Sequence, residues 1–414
     1  MITSPCRVGG LFLVAMLSFS AGMTKMRADY QQSLRQVSLP GRPFGVAVSK
    51  DLQWIFVSII GGPRETPGIA VLQNRSGGIE PARMVPMGRS PEGVVLSHDG
   101  SMLIAAADDC VVFFDVQRLE TGENDPAFQW VVRGKNAGCV YVNVTADDRT
   151  LFVSDEFAKT ITVIDLDRIR SIGRDSAKNV KHVNDRDGPS TAIVGRIPVG
   201  MSPIALTFSK DERWLFTTSE VAAPEWRWPR TIVREGARSS QDKVSEGAVI
   251  VIDVLKARIN PQQSVVARVA AGGSPVRAAL SQDGARLFVT ARNSDAVLAF
   301  ETADLTSGHD RTKPVRIPVG KSPVPIILTN DGRFALVGNS NRYSADVTRS
   351  STLSVLDTSR VGTALNPVIG NIPCGAFPRN FCLGSDGRSL FLTNFQSASL
   401  QIIDSDRLLQ LLEK

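Results

Sequence analysis

The chain has 414 residues, 43% of them hydrophobic and 21% charged, which is the composition of a globular protein and not of a disordered one. A formal charge of +6 is mild for this length and lacks the density of a dedicated nucleic-acid footprint, although contact with nucleic acid is not excluded. Three dispersed histidines (His98, His182, His309) and five scattered cysteines, with no CxxC or CxxCH spacing, do not compose a metal or haem motif, so no cofactor and no metal site are expected.

At the N-terminus, Arg7 precedes an apolar run from Leu11 to Phe19, followed by small residues at Ser20–Gly22. This is the layout of a secretory signal, expected over residues 1–22. The run is shorter than the roughly 20 residues a bilayer span needs, so an uncleaved anchor is the lesser alternative. The expectation is a secreted or periplasmic protein with no membrane span once the signal is cleaved. Cys110, Cys139, Cys374 and Cys382 remain, and they read as small buried side chains better than as staples.

From residue 41 onward one phrase recurs: Gly-x-Ser-Pro, an apolar strand, then Asp-Gly. It stands at Gly88, Gly272 and Gly320, at Gly200 with Asp211-Glu212 in place of Asp-Gly and at Gly375 with Phe377 in place of serine, with a trimmed copy at Gly41 and a degenerate one at Lys135. The proline-equivalent positions are 43, 91, 139 (a cysteine), 203, 275, 323 and 378. After each turn comes a second β-branched strand, at Trp54, Met102, Leu151, Trp214, Leu287, Phe334 and Leu390. A third often ends in Asp, as in VVFFD at 111–115, VIVID at 249–253 and QIID at 401–404, and a fourth precedes the next glycine. Repeats of this size mean stacked units, and seven four-stranded antiparallel units close into a ring. The predicted fold is therefore all-β, a seven-bladed β-propeller forming a single domain over 30–414. The seventh unit has only three strands before the amphipathic tail DRLLQLLEK, so residues 32–40 are expected to supply its fourth strand and close the ring beside Ser399–Asp404.

These units resemble the YVTN family of β-propeller repeats in Val199-Gly200 with Pro203, in Asp283-Gly284 with Phe288-Val289-Thr290, in Leu392-Thr393-Asn394 and in Val163-Ile164-Asp165. The resemblance spans 32–404 and implies the propeller fold. For function it implies little, since surface-layer, periplasmic binding and lactonase-like proteins share it.

In such a ring the loops before the first strands and those joining strands two and three share one face, and candidate ligand-binding residues are read from there. The post-proline positions contribute Glu92, Tyr141, Arg277, Arg379 and Asn380, and the second-strand ends contribute Asp155, Arg292, Asn339 and Asn394. Insertions at 61–68, 219–247 and 340–350 add Trp226, Arg227, Trp228, Arg230, Arg342 and Tyr343. Arginine beside aromatic rings suits carboxylates, phosphates and sugars. Trp226 and Trp228 equally fit a role in pinning a long loop. Glu92 lies in a blade distant around the ring from those of Arg277 and Arg379, so lasting internal neutralisation of the two arginines is not expected. The insertion at 166–191 should be a solvated excursion on the other face, and the Asp-Gly acids Asp99, Asp283 and Asp386 read as turn residues, not metal ligands. These features predict a monomeric exported binding or scaffold protein for an anionic small molecule, glycan or protein partner. The alternative is a lactone hydrolase, although no histidine occupies a post-proline position as the lactonase-like pattern requires.

Overall fold

The structure is a computed structural model, described here for residues 34–412 apart from 62–65, 123–126, 133–136, 175–180, 185–191, 227, 229–230, 234–242, 309–311 and 343–350. Seven antiparallel sheets follow one another along the chain as blades one to seven. Their first strands are Arg42–Val48, Pro91–Leu96, Cys139–Val144, the interrupted pair Met201–Pro203 and Thr207–Phe208, then Pro275–Leu280, Pro323–Leu328 and Pro378–Leu383. Second strands are almost wholly buried because each is covered by a blade on both faces, as in LFVTA at 287–291. That double burial is why these segments read as continuous apolar runs without alternation. Successive interblade cores carry Phe56, Phe114, Phe152, Phe216, Phe288 and Phe300 at essentially zero exposure.

The ring closes as expected. Leu34–Ser38 pairs antiparallel with Ser399–Asp404, Leu34 opposite Ile403 and Ser38 opposite Ser399, and becomes the outer strand of blade seven. The tail forms a helix, Ser405–Leu412, whose Leu408 is fully buried against blades six and seven.

A recurring side-chain device joins the blades. Ser58, Ser154, Thr218, Thr290 and Thr393 occupy the same place in five second strands. Each accepts a hydrogen bond of 2.7–3.1 Å from a first-strand amide of its own blade, those of Gly45, Tyr141, Ala205, Arg277 and Asn380. Four of these hydroxyls also donate to a carbonyl in the next blade: Ser58 to Glu92, Thr218 to Val276, Thr290 to Val324 and Thr393 to Phe44. The last bond, 2.8 Å long, crosses the seam where blade seven meets blade one. Ala106 and Gly338 hold the equivalent place in blades two and six. The hydroxyl thus satisfies buried backbone groups that the interrupted ladder leaves without strand partners.

The Asp-Gly turns behave as structural caps. Ser97 donates to Asp99 at 2.6 Å and Ser281 to Asp283 at 2.5 Å, and in each case the carboxylate also accepts a turn amide. The insertion after Asp165 departs from the solvated excursion expected. Leu166–Arg174 is helical with Leu166 and Ile169 fully buried, and Lys181–Asn184 adds in parallel to Ala127–Val132 as a fifth strand of blade two. Apolar residues at 166 and 169 share one helix face, which was legible as an anchor. The four cysteines after the apolar N-terminal run are free, with Cys110, Cys139 and Cys374 buried. The candidate signal lies outside the described residues, and no helix among the described residues is long and apolar enough to cross a membrane.

Candidate functional site

The site is built by a break in the ladder that recurs in every blade. Immediately after the proline-equivalent residue the first strand slips register against the second, between Pro43 and Val46, Pro91 and Val94, Cys139 and Tyr141, Pro275 and Ala278, Pro323 and Ile326, and Pro378 and Asn380. In blade four the strand is interrupted outright over Ile204–Leu206. A bulge re-aims the residues it expels, and here it expels the post-proline residues toward the axis. In blades one and two the second expelled residue is glycine. A Cβ on Gly45 would lie 2.8 Å from the Glu92 carbonyl, and one on Gly93 would lie 2.7 Å from that of Val140, so the neighbouring first strand leaves no room for a side chain.

What gathers at the axis is one apolar sector and one charged, aromatic sector. Ile204, Val276 and Val324 pack together with Tyr141. Tyr141 is also the hub of the polar part. The Arg277 guanidinium lies over its ring at 3.4 Å, its hydroxyl donates to Asn380 Oδ1 at 2.9 Å, and Phe44 packs beside it with ring centroids 5.8 Å apart. Arg379 lies 4.2 Å over Phe44 and 5.5 Å from Phe377, a ring it shares with Arg342 at 5.2 Å. Arg277 is only 8% exposed. The Nε atoms of Arg277 and Arg379 are buried without a hydrogen-bond partner.

Residues from blades one, three, five and seven therefore meet across the axis, and this corrects the expectation that distance around the ring keeps charges apart. Glu92 of blade two interacts electrostatically with both arginines, more strongly with Arg379. Side chains that are far apart along the circumference are close in a narrow channel. Desolvation pushes the Glu92 carboxyl up to about 7 despite the opposing pull of Arg379 and Arg277, and nearby Glu156 and Asp108 push it further. Burial also pulls Arg277 down to about 10 and lowers Arg379, while it raises the Tyr141 phenol. At neutral pH both guanidiniums stay charged and Glu92 is part-ionised, so this inner cluster is net positive.

Arg292 is buried and ion-paired with Glu220 of blade four. Asn339 donates to Thr352 at 3.0 Å and Ser354 at 2.9 Å, and Asn394 to Gln401 at 3.2 Å, so both asparagines are engaged within their own blades. Asp155 is fully buried and accepts from Thr162 at 2.6 Å. Trp226 and Trp228 stack at 5.9 Å and pack half-buried on the blade-four core, with Arg268 5.2 Å over Trp226, which is the loop-pinning arrangement. Tyr343, Arg227 and Arg230 lie outside the described residues.

Four residues at the mouth escaped the sequence reading: Phe44 as a stacking surface, and the acids Asp108, Glu156 and Glu220. The acids stand two residues beyond the second-strand place that the clasp hydroxyls occupy, and that fixed offset was the available signal. A cavity of about 470 Å³ between blades five and six lies elsewhere, lined by Asp283, Arg286, Glu301, Asp331 and Arg333 at the Asp-Gly turns. Among its lining groups, Arg286 donates to Glu301 at 2.8 Å, and Asp331 accepts from Thr329 at 2.6 Å.

No protein-family model and no curated protein sequence matches the chain. Among solved structures it is similar to a chain of hydrazine synthase from Kuenenia stuttgartiensis, at 17% identity and a TM-score of 0.62, over 89% of this chain and 96% of that one. At that identity the likeness bears on the fold alone.

Proposed function

We propose that this propeller is an exported, non-catalytic binding protein that holds an anionic group at the mouth of its channel, carried by a small molecule, a glycan or a protein partner. The observation that carries the reading is the pair of arginines, Arg277 and Arg379. They come from different blades, each lies over an aromatic face, each has a buried Nε without a partner, and both interact with the carboxylate of Glu92. Holding two guanidiniums in so desolvated a place is costly unless an anion completes them. The aromatic faces position the arginines, and Asn380, fixed by Tyr141, offers a further polar contact at the same place. Export is supported by the signal-like N-terminal layout, and membership of the YVTN family by the repeat phrase, whose Thr290 and Thr393 are clasp hydroxyls. The test is calorimetry with hexanoate, glucuronate and inorganic phosphate. Arg277→Gln and Arg379→Gln should each weaken the bound anion about tenfold, equivalent to about 1.4 kcal/mol. Absence of binding by every probe, or affinities unmoved by both substitutions, refutes the reading.

One observation favours a second reading, hydrolysis of a lactone. A carboxyl held near 7 is tuned for general-base work at neutral pH, and the adjacent arginines could receive the carboxylate as the ring opens. Turnover of a lactone with a rate that rises through pH 7, lost in Glu92→Gln, would establish it, and no turnover would dismiss it.

A further inference from the structure

We infer that the mouth of the channel is a dipolar site for a zwitterionic ligand, its carboxylate held by Arg277 and Arg379 and its ammonium turned toward Asp108 and Glu156. The inference rests on the anion-binding reading and adds the other half of the ligand. It comes from where the blades place their charges. The position two residues past the clasp place in the second strand is, from blade one to blade seven, Ile60, Asp108, Glu156, Glu220, Arg292, Ser340 and Phe395. At the bulge just inside it, blade two contributes Glu92, blade five Arg277 and blade seven Arg379. Arg342 stands two residues beyond Ser340 in blade six and shares the Phe377 ring with Arg379. Among the described residues at these two tiers, every acid belongs to blades two to four and every arginine to blades five to seven.

The two boundaries between the halves differ. Where blade four meets five, the buried Arg292 is ion-paired with the part-exposed Glu220, which ties one acid to one arginine. On the other side, blade one presents Ile60 and Phe44 and blade seven Phe395. Arg42, which starts the first strand of blade one, covers the Phe395 ring at 5.3 Å and extends the basic half. Beside these tiers, Arg89 pairs with Asp109 in blade two and Lys321 of blade six with Asp295 of blade five, so those charges cancel in place, and the charges left at the two tiers form a field directed across the mouth. Asp108 is exposed and Glu156 part-exposed, so both reach an incoming ligand, whereas the guanidiniums of Arg277 and Arg379, each with an Nε that has no hydrogen-bond partner, stand on the opposite side. A simple anion gains only at the arginine half and is repelled by the acids. A zwitterion aligned with the field gains at both ends, and a simple cation meets the arginines.

The experiment is calorimetric titration of the full folded chain with ω-amino carboxylates of four, six and eight carbons, alongside the matching carboxylates and amines. At least one ω-amino carboxylate is expected to bind about tenfold or more tightly than its carboxylate and its amine counterparts. Glu156→Gln and Asp108→Asn should each weaken the amino carboxylate about threefold or more, while leaving the plain carboxylate unchanged or tighter. Asp108 is exposed, so its variant carries the test should Glu156→Gln disturb folding. Equal binding of carboxylates and amino carboxylates, with both weakened by Arg379→Gln, overturns the dipolar site and leaves the anion reading standing. Failure of every carboxyl-bearing probe to bind overturns both.

Discussion

Replacing Glu92 by glutamine tests the charge arrangement at the axis without any ligand. The ordinary glutamate value is 4.5, and in the folded protein the carboxyl sits at about 7, chiefly because it is desolvated. Between those values the folded state holds a proton that the unfolded state has released. Stability therefore falls as pH rises through that window, and the penalty is absent below 4.5 and complete above 7. The full displacement corresponds to about 3 kcal/mol at 1.36 kcal/mol for each unit of pKa, a ceiling because the side chain keeps some contact with water. Between pH 5 and pH 8 wild type should lose about 2 kcal/mol relative to Glu92→Gln, which has nothing to titrate. Acids that titrate elsewhere appear in both proteins and cancel. Asp51 and Asp283, for example, are lowered first by hydrogen bonds from Ser49 and Ser281, and they contribute stability that is lost only as pH falls below the ordinary 3.8. The assay is denaturant unfolding of both proteins at the two pH values. A stability difference that is the same at pH 5 and pH 8 would show that Glu92 is solvated, and the desolvated cluster of arginines and aromatics would lose its basis.

Two further outcomes follow from the architecture. Thr393→Val removes the hydroxyl that serves the Asn380 amide and the Phe44 carbonyl across the closing seam, and should cost about 1–3 kcal/mol, with Thr393→Ser retaining most of it; equal stability of the valine variant in denaturant melts would remove the clasp as a stabilising device. Deleting residues 34–38 exposes the edge of Ser399–Asp404, so the melting temperature should drop and light scattering should detect self-association, whereas an unchanged monomer would show that the strand is dispensable.

The ring was written in the sequence because the blades repeat the same local chemistry: a turn opened by Asp and followed by a left-handed residue that is glycine in four blades, a doubly covered strand that needs apolar residues, and, in all blades but the third, a proline at the bulge. Seven copies of such a phrase leave few alternatives, and the three-stranded seventh copy even marked residues 32–40 as the source of the closing strand, which runs over Leu34–Ser38. Local signals were weaker where a side chain could serve two ends. Asn339 and Asn394 looked like donors to a ligand, yet their amides serve partners within their own blades, which a strand-end position alone does not reveal. The mouth itself was decided only by tertiary structure. Glu92, Tyr141, Arg277 and Asn380 are far apart in the chain and sit in four different blades, and linear distance or position on the circumference suggested that their charges act separately. Closing the ring around a narrow axis brings Arg277 onto Tyr141 and Tyr141 onto Asn380, and it partly desolvates Glu92. A repeat specifies its own blade, but what meets at the centre depends on radius and rotation, which no single repeat encodes.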